Sequence, residues 1–135
     1  MPFHHIAIRV SDVKKSRELY DPVMVAAGYG VYHANGITNR KLLDSIVYYA
    51  PISNPKAFEF GLMLANPDKP AAKSHIAFAL PSIDGFVSVY NIAIECGGTD
   101  YGQPGSREKI NKDYYAAFVL DNDGSNIEFI HFVRK

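Results

Sequence analysis

The stretch Lys73-Ser-His-Ile-Ala-Phe-Ala-Leu80 is nearly a second copy of Pro2-Phe-His-His-Ile-Ala-Ile-Arg-Val10. Aligning His75 on His5 sets an offset of 70 residues, and the same offset lays Ile76 on Ile6, Ala77 on Ala7, Tyr90 on Tyr20 and Gly98 on Gly28. A unit written twice restricts the architecture severely, because each copy is one supersecondary element that cannot bury its apolar face alone. Two copies facing each other would carry His5 and His75 to equivalent places.

Each copy reads as strand, helix, then three strands. In the first, Phe3 to Val10 alternates as a strand, and Ser11 offers an N-cap with Asp12 in the first turn. Val13, Ser16, Leu19, Tyr20, Val23 and Met24 then fall at helical spacing up to Gly28. Pro22 should bend or restart this helix, since it lacks the N–H and crowds the preceding turn. Tyr29 to Ala34, Ser45 to Ala50 and Ala57 to Leu64 are strand candidates between turn-forming segments. Asn66 to Ala72, with Pro67 and Pro70, is the only linker-like stretch. In the second copy, Ser74 to Leu80 is a strand and Ser82 caps a helix that ends at Gly97-Gly98. Thr99 to Tyr101 starts a strand, Gly102 to Lys112 is a polar loop, Tyr114 to Asp121 is a strand, Asp121 to Ser125 a turn, and Asn126 to Val133 the closing strand.

The expected fold is therefore α+β: two βαβββ modules in tandem, forming a curved mixed sheet around a cavity with the helices on its outer face. At 135 residues the chain is expected to be one domain, with modules 1–66 and 73–135 joined by 67–72. Lys plus Arg and Asp plus Glu are both 14, so no overall field recruits nucleic acid or an anionic membrane. The lone cysteine, Cys96, has no internal disulfide partner, and no leader or bilayer-length apolar run is present, which points to the cytoplasm.

Chemistry concentrates on one face of the repeated strands. His5, Ala7 and Arg9 share a face in the first copy, as do His75, Ala77 and Ala79 in the second, while Ile6, Ile8, Val10 and Ile76, Phe78, Leu80 point to the helices. Small residues opposite bulky ones suit a hollow lined by a curved sheet. The last strands also repeat: Ala57-Phe-Glu-Phe60 matches Asn126-Ile-Glu-Phe129 at an offset of 69, which pairs Glu59 with Glu128. A carboxylate among apolar neighbours is costly unless a cation or donor meets it. Two imidazoles and one or two carboxylates converging on a hollow would hold a divalent transition metal and leave positions open for water or substrate. His4, His33 and His131 read instead as ordinary core or edge residues.

These residues resemble the vicinal oxygen chelate superfamily of glyoxalase I, bleomycin-resistance proteins, fosfomycin-resistance enzymes and extradiol dioxygenases. The resemblance is carried by the paired βαβββ pattern, by His-Ile-Ala-Ile-Arg-Val-Ser-Asp and the second His-Ile-Ala-Phe, and most specifically by Asp121-Asn-Asp-Gly-Ser-Asn-Ile-Glu128. It implies His5, His75 and Glu128 as metal ligands, with Glu59 at the extra carboxylate position of glyoxalase I. Arg9 stands where glyoxalase I grips a carboxylate of glutathione, but Met63 and Ala71 replace two further polar anchors of that substrate.

The leading expectation is a metal-dependent isomerase or lyase of the lactoylglutathione lyase type, acting on a small carbonyl or thiohemiacetal substrate chelated by zinc, nickel, manganese or iron. Glu128 and Glu59 are the expected catalytic carboxylates, and Arg9, Arg107 and Tyr115 the substrate-binding residues. The alternatives are a metal-free drug-binding resistance protein, with Tyr49, Tyr114 and Tyr115 as stacking surfaces, and an extradiol-type dioxygenase. A small-molecule substrate, a homodimer, and no nucleic-acid or membrane partner are expected.

Overall fold

A computed structural model describes residues 3–31, 44–69 and 72–133. The chain divides into two compact units, residues 1–72 and 73–135, each a βαβββ module with its own four-stranded mixed sheet. Among the described residues no helix is long and apolar enough to cross a membrane.

The first unit contains β1 (His5–Val10), α1 (Val13–Ala26), β2 (Tyr29–Val31), β3 (Ile46–Pro51) and β4 (Glu59–Leu64), with sheet order β1-β4-β3-β2. β1 lies parallel to β4, and the other pairs are antiparallel. Strand alternation turns Ile8, Val10, Val47, Tyr49, Phe60 and Leu62 into the core with Leu19, Tyr20, Val23 and Met24 of α1. Burying each such side chain contributes about 1.5–3 kcal/mol. The helix is also pinned by polar contacts: Tyr49 Oη donates to Asp21 Oδ1 at 2.6 Å, and Arg17 Nη2 stands 3.0 Å from the other carboxylate oxygen.

Asp12, rather than Ser11, caps α1, its side chain accepting from the Lys15 backbone N–H at 2.9 Å. The helix runs on through Pro22 as one element, so tertiary packing of Leu19, Tyr20, Val23 and Met24 outweighs the proline's missing N–H. Of the strand expected over 29–34, Tyr29–Val31 is present, while residues 32–34, including His33, lie outside the described residues. So do Pro70 and Ala71 of the expected linker.

The second unit repeats the plan with β5 (His75–Ala79), α2 (Ile83–Glu95), β6 (Thr99–Ser106), β7 (Tyr114–Leu120) and β8 (Asn126–Phe132), in the order β5-β8-β7-β6. Ser82 caps α2 by accepting from the Gly85 N–H at 3.0 Å, and Gly97, at φ 105°, ends it. Phe78, Phe86, Val89, Ala117, Val119, Ile127 and Phe129 form this unit's core. β6 is longer than expected: it continues through Gly102, Pro104 and Gly105 to Ser106, with register irregularities either side of Gly102. An edge strand tolerates this, because a proline on its free side removes no ladder bond.

Candidate functional site

The site in the second unit is built outward from the turn between β7 and β8. Asp121 is buried, and its Oδ1 accepts from the N–H groups of Asp123 and Ser125, each at 2.9 Å. Gly124 takes φ 79°, a conformation that disfavours any side chain. The turn thereby delivers Ser125, whose Oγ accepts from the Ser74 N–H at 3.0 Å and ties the start of β8 to the start of β5. From that point His75 faces Asn126 and Ala77 faces Glu128 across the parallel pair.

This register places the His75 and Glu128 side chains on one face. His75 Nε2 lies 3.0 Å from Glu128 Oε2, and His75 Nδ1 lies 3.1 Å from the Asn126 carbonyl oxygen. Both oxygens are acceptors, and a neutral imidazole has one N–H with which to meet them. The other nitrogen–oxygen contact is attractive only with a proton or a cation in it. Glu128 is buried while the His75 side chain is half exposed.

Tyr114 Oη donates a hydrogen bond to Glu128 Oε1. Burial, then this bond and the carboxylate charge, push the Tyr114 hydroxyl up to about 12, against an opposing influence of Arg107. Phe118 faces Glu128 in register and stacks on the His75 ring at 6.4 Å between centroids. The Arg107 guanidinium lies 5.6 Å over the Phe118 ring. Arg107 also lines a cavity of about 680 Å³ with Ser106, Glu108, Lys109 and Ile110.

The first unit carries a related but different set. His5 faces Glu59 across β1 and β4, which puts an exposed imidazole beside a buried carboxylate. His5 Nδ1 is 2.8 Å from His4 Nδ1, and its ring meets Tyr48 edge-on at 5.7 Å. Arg9 shares the strand face of His5 and donates from Nη1 to the Leu64 carbonyl at 3.2 Å.

Glu59 and Glu128 are not register equivalents, contrary to the offset of their sequence motifs. Glu59 faces the histidine itself, whereas Glu128 faces the alanine two residues after it, so the register partners match Glu59 with Asn126 and Gly61 with Glu128. Tyr115 falls on the face of β7 opposite to Tyr114, Phe118 and Glu128, in register with His131. Reading the sequence missed the Tyr114 hydroxyl and the aromatic partners of the histidines. A signal for the latter was present: Tyr48 and Phe118 each follow their histidine by 43 residues.

Whether these residues suit a metal ion is answered by the donor set. Ligands at 2.0–2.2 Å from one ion stand roughly 3 Å apart, which is the separation of His75 Nε2 and Glu128 Oε2. An imidazole whose Nδ1 faces a backbone carbonyl is also the usual outer support of a ligating Nε2. Asn126 Oδ1, in the residue facing His75, is buried without a hydrogen-bond partner among the described residues. The pair therefore fits two positions of a divalent ion. Among the described residues no cluster of three or more His, Cys, Asp or Glu side chains is present.

No family model and no curated protein matches the sequence. Solved structures do. A glyoxalase/bleomycin resistance protein from Albidiferax ferrireducens T118 superposes with a TM-score of 0.76 at 27% identity, over 97% of this chain and 99% of that one. A glyoxalase/dioxygenase from Nostoc punctiforme gives 0.68 at 19% identity, over 97% and 90%. A glyoxalase/bleomycin resistance protein/dioxygenase family enzyme from Burkholderia phytofirmans PsJN gives 0.69 at 13% identity, over 96% and 97%. The last two establish the fold alone. By its structure, with its paired βαβββ modules and the neighbours they match, the chain takes its place in the vicinal oxygen chelate superfamily.

Proposed function

We propose that this protein is a metal-dependent, glyoxalase-like isomerase or lyase that moves a proton alpha to a carbonyl of a small substrate. The observation that carries this reading is the 3.0 Å approach of His75 Nε2 to Glu128 Oε2 with His75 Nδ1 already facing a carbonyl. On this reading His75 and Glu128 are the ligands of the second unit, and His5 and Glu59 are the ligand pair of the first. A divalent ion of the zinc, nickel, manganese or iron class supplies charge that stabilises negative charge developing on substrate oxygen, worth several kcal/mol.

The chain's own residues do the rest. Glu128 is the base, and its buried position keeps water from competing for the proton. Tyr114 holds Oε1 of that carboxylate, which leaves Oε2 directed toward His75. In the first unit, Arg9 on the His5 strand face is read as a residue that orients an anionic group at that unit's own pair. The protein is read as a cytoplasmic homodimer, which sedimentation of the purified chain checks.

The test is metal analysis of protein made without a histidine tag, in parallel with His75→Ala/Glu128→Gln and His5→Ala/Glu59→Gln variants. A bound divalent ion lost from the His75/Glu128 variant supports the reading, as does turnover of a glutathione thiohemiacetal of methylglyoxal by the loaded protein. Folded wild-type protein that takes up no divalent ion even when supplied in excess would sink it. Ligand capture unchanged by metal removal would favour the sequestering alternative, and oxygen uptake with a catechol the dioxygenase.

A further inference from the structure

Arg107 is a cation held in place without an ion-pair partner among the described residues. Its backbone N–H donates to the Tyr114 carbonyl at 2.8 Å, so the residue is fixed where β6 runs out against β7. Its Nη2 donates to the Gln103 carbonyl at 2.8 Å, and its guanidinium lies over Phe118. Two glycines make room for it. A Cβ at Gly102 would stand 2.8 Å from the Phe118 ring and 3.4 Å from Arg107 Nη2, and one at Gly105 would stand 3.2 Å from Nη1. A polar strand interrupted by glycine at these two places is what a flat guanidinium stacked on a ring requires.

Among the described residues no carboxylate lies within ion-pairing distance of Arg107. The Glu128 carboxylate is met by Tyr114 and His75 instead. A guanidinium has five N–H donors, and neutral carbonyls and a ring neutralise none of its charge. Phe118 connects it directly to the reacting centre, since the same ring carries Arg107 and stacks on His75.

We propose that Arg107 is the oxyanion-binding residue of the second unit, and that the substrate is a small anion whose carboxylate or phosphate docks on it beside the His75–Glu128 pair. The substrate class that follows is a 2-oxo or 2-hydroxy acid, or the corresponding phosphorylated carbonyl compound. This rests on the site proposed above, because only a reacting centre at His75 and Glu128 gives the anion a reason to dock there. Glu108 and Lys109, both exposed on the wall of the same cavity, offset each other in charge, so the anion is met by Arg107 itself.

Calorimetric titration tests this without turnover. The probes are lactate, its neutral isostere lactamide, and inorganic phosphate, each added to metal-stripped protein and to zinc-loaded protein. Lactate or phosphate should bind stripped wild-type protein, and Arg107→Gln should weaken that binding about ten-fold or more while Arg107→Lys retains part of it. A winner between lactate and phosphate decides between the carboxylate and the phosphorylated class. Lactamide should bind more weakly than lactate and be indifferent to the substitution.

Equal binding of lactate and phosphate to wild type and Arg107→Gln would overturn the proposal, as would binding of lactamide as tight as that of lactate. Phe118→Leu, which removes the ring and leaves the charge, should weaken the anion in the same direction by a smaller factor. A melting curve of each variant establishes that it is folded. His75→Ala/Glu128→Gln should lose zinc and keep the Arg107-dependent anion affinity, so failure of the metal reading and failure of the anion reading give different results.

Discussion

Gly61 occupies in the first unit the register position that Glu128 holds in the second: each lies two residues along its strand from the partner of the opening histidine. The two modules are therefore alike in backbone and unlike in chemistry. Where Glu128 sends a carboxylate toward His75, Gly61 has no side chain, and Tyr48 lies over the vacant place.

That substitution of an aromatic ring for a carboxylate is sterically exclusive. A Cβ at Gly61 would stand 2.5 Å from Tyr48 Cε1 and 3.3 Å from the Ala7 Cβ. Gly61→Ala should destabilise the chain by about 1–3 kcal/mol through overpacking. Urea denaturation measures it, and adding Tyr48→Ala should recover part of the loss. If Gly61→Ala unfolds at the wild-type midpoint, the ring does not need the glycine.

Tyr114 is expected to act on metal affinity through Glu128. Tyr114→Phe leaves Glu128 Oε1 without the donor it has, at a cost of about 1–3 kcal/mol in stability. It should also weaken divalent-ion affinity by about ten-fold or more, in line with the loss of an outer-sphere partner. Competition with a chromogenic chelator reads the affinity separately from the melt.

Asp121 is expected to matter for stability far more than its turn position suggests. Asp121→Ala removes the acceptor of two backbone N–H groups at a buried site, with a predicted loss of about 2 kcal/mol or more. Asp121→Asn retains an acceptor oxygen and should lose less. Since this turn sets the register of Glu128 opposite Ala77, Asp121→Ala should also lower metal uptake, which metal analysis of the folded fraction checks.

The Tyr49–Asp21 bond predicts an alkaline limit to stability. Burial first, then the hydrogen bond to Asp21 and its charge, raise the Tyr49 hydroxyl above its ordinary value. A proton held more tightly by the folded chain contributes stability that is complete below the unfolded value of about 10 and is lost as pH rises toward the folded one. The urea midpoint should therefore be flat through neutrality and fall above about pH 10. Tyr49→Phe should lower the neutral midpoint and flatten that fall, though Tyr29, Tyr90 and Tyr114 are raised as well and keep part of it.

Much of the architecture was legible because it was written twice. The offset between His5 and His75, the strand alternation around them and the Ser82 cap are all present in the structure. Element edges were less legible where local rules compete: Asp12 caps α1 although Ser11 precedes it, α1 continues past Pro22, and β6 continues through Pro104. In the two proline cases burial or an edge position outweighs a propensity of about 3 kcal/mol that acts on one residue.

Strand periodicity by itself determined which residues of one strand share a face, and so it put His75, Ala77 and Ala79 on one side of β5, while the β5–β8 pairing brought Glu128 to that side. Periodicity did not determine which residues stand opposite each other. Register is fixed between strands far apart in sequence, here by the Asp121 turn and the Ser125–Ser74 bond, and a slip of two residues keeps every face intact while changing every partner. For that reason the motif offset matched Glu59 to Glu128, while the folded strands match Gly61 to it. The tyrosine on Glu128 and the arginine over Phe118 were likewise decided only by tertiary structure, because a hydroxyl or guanidinium finds its partner across the sheet rather than along the chain.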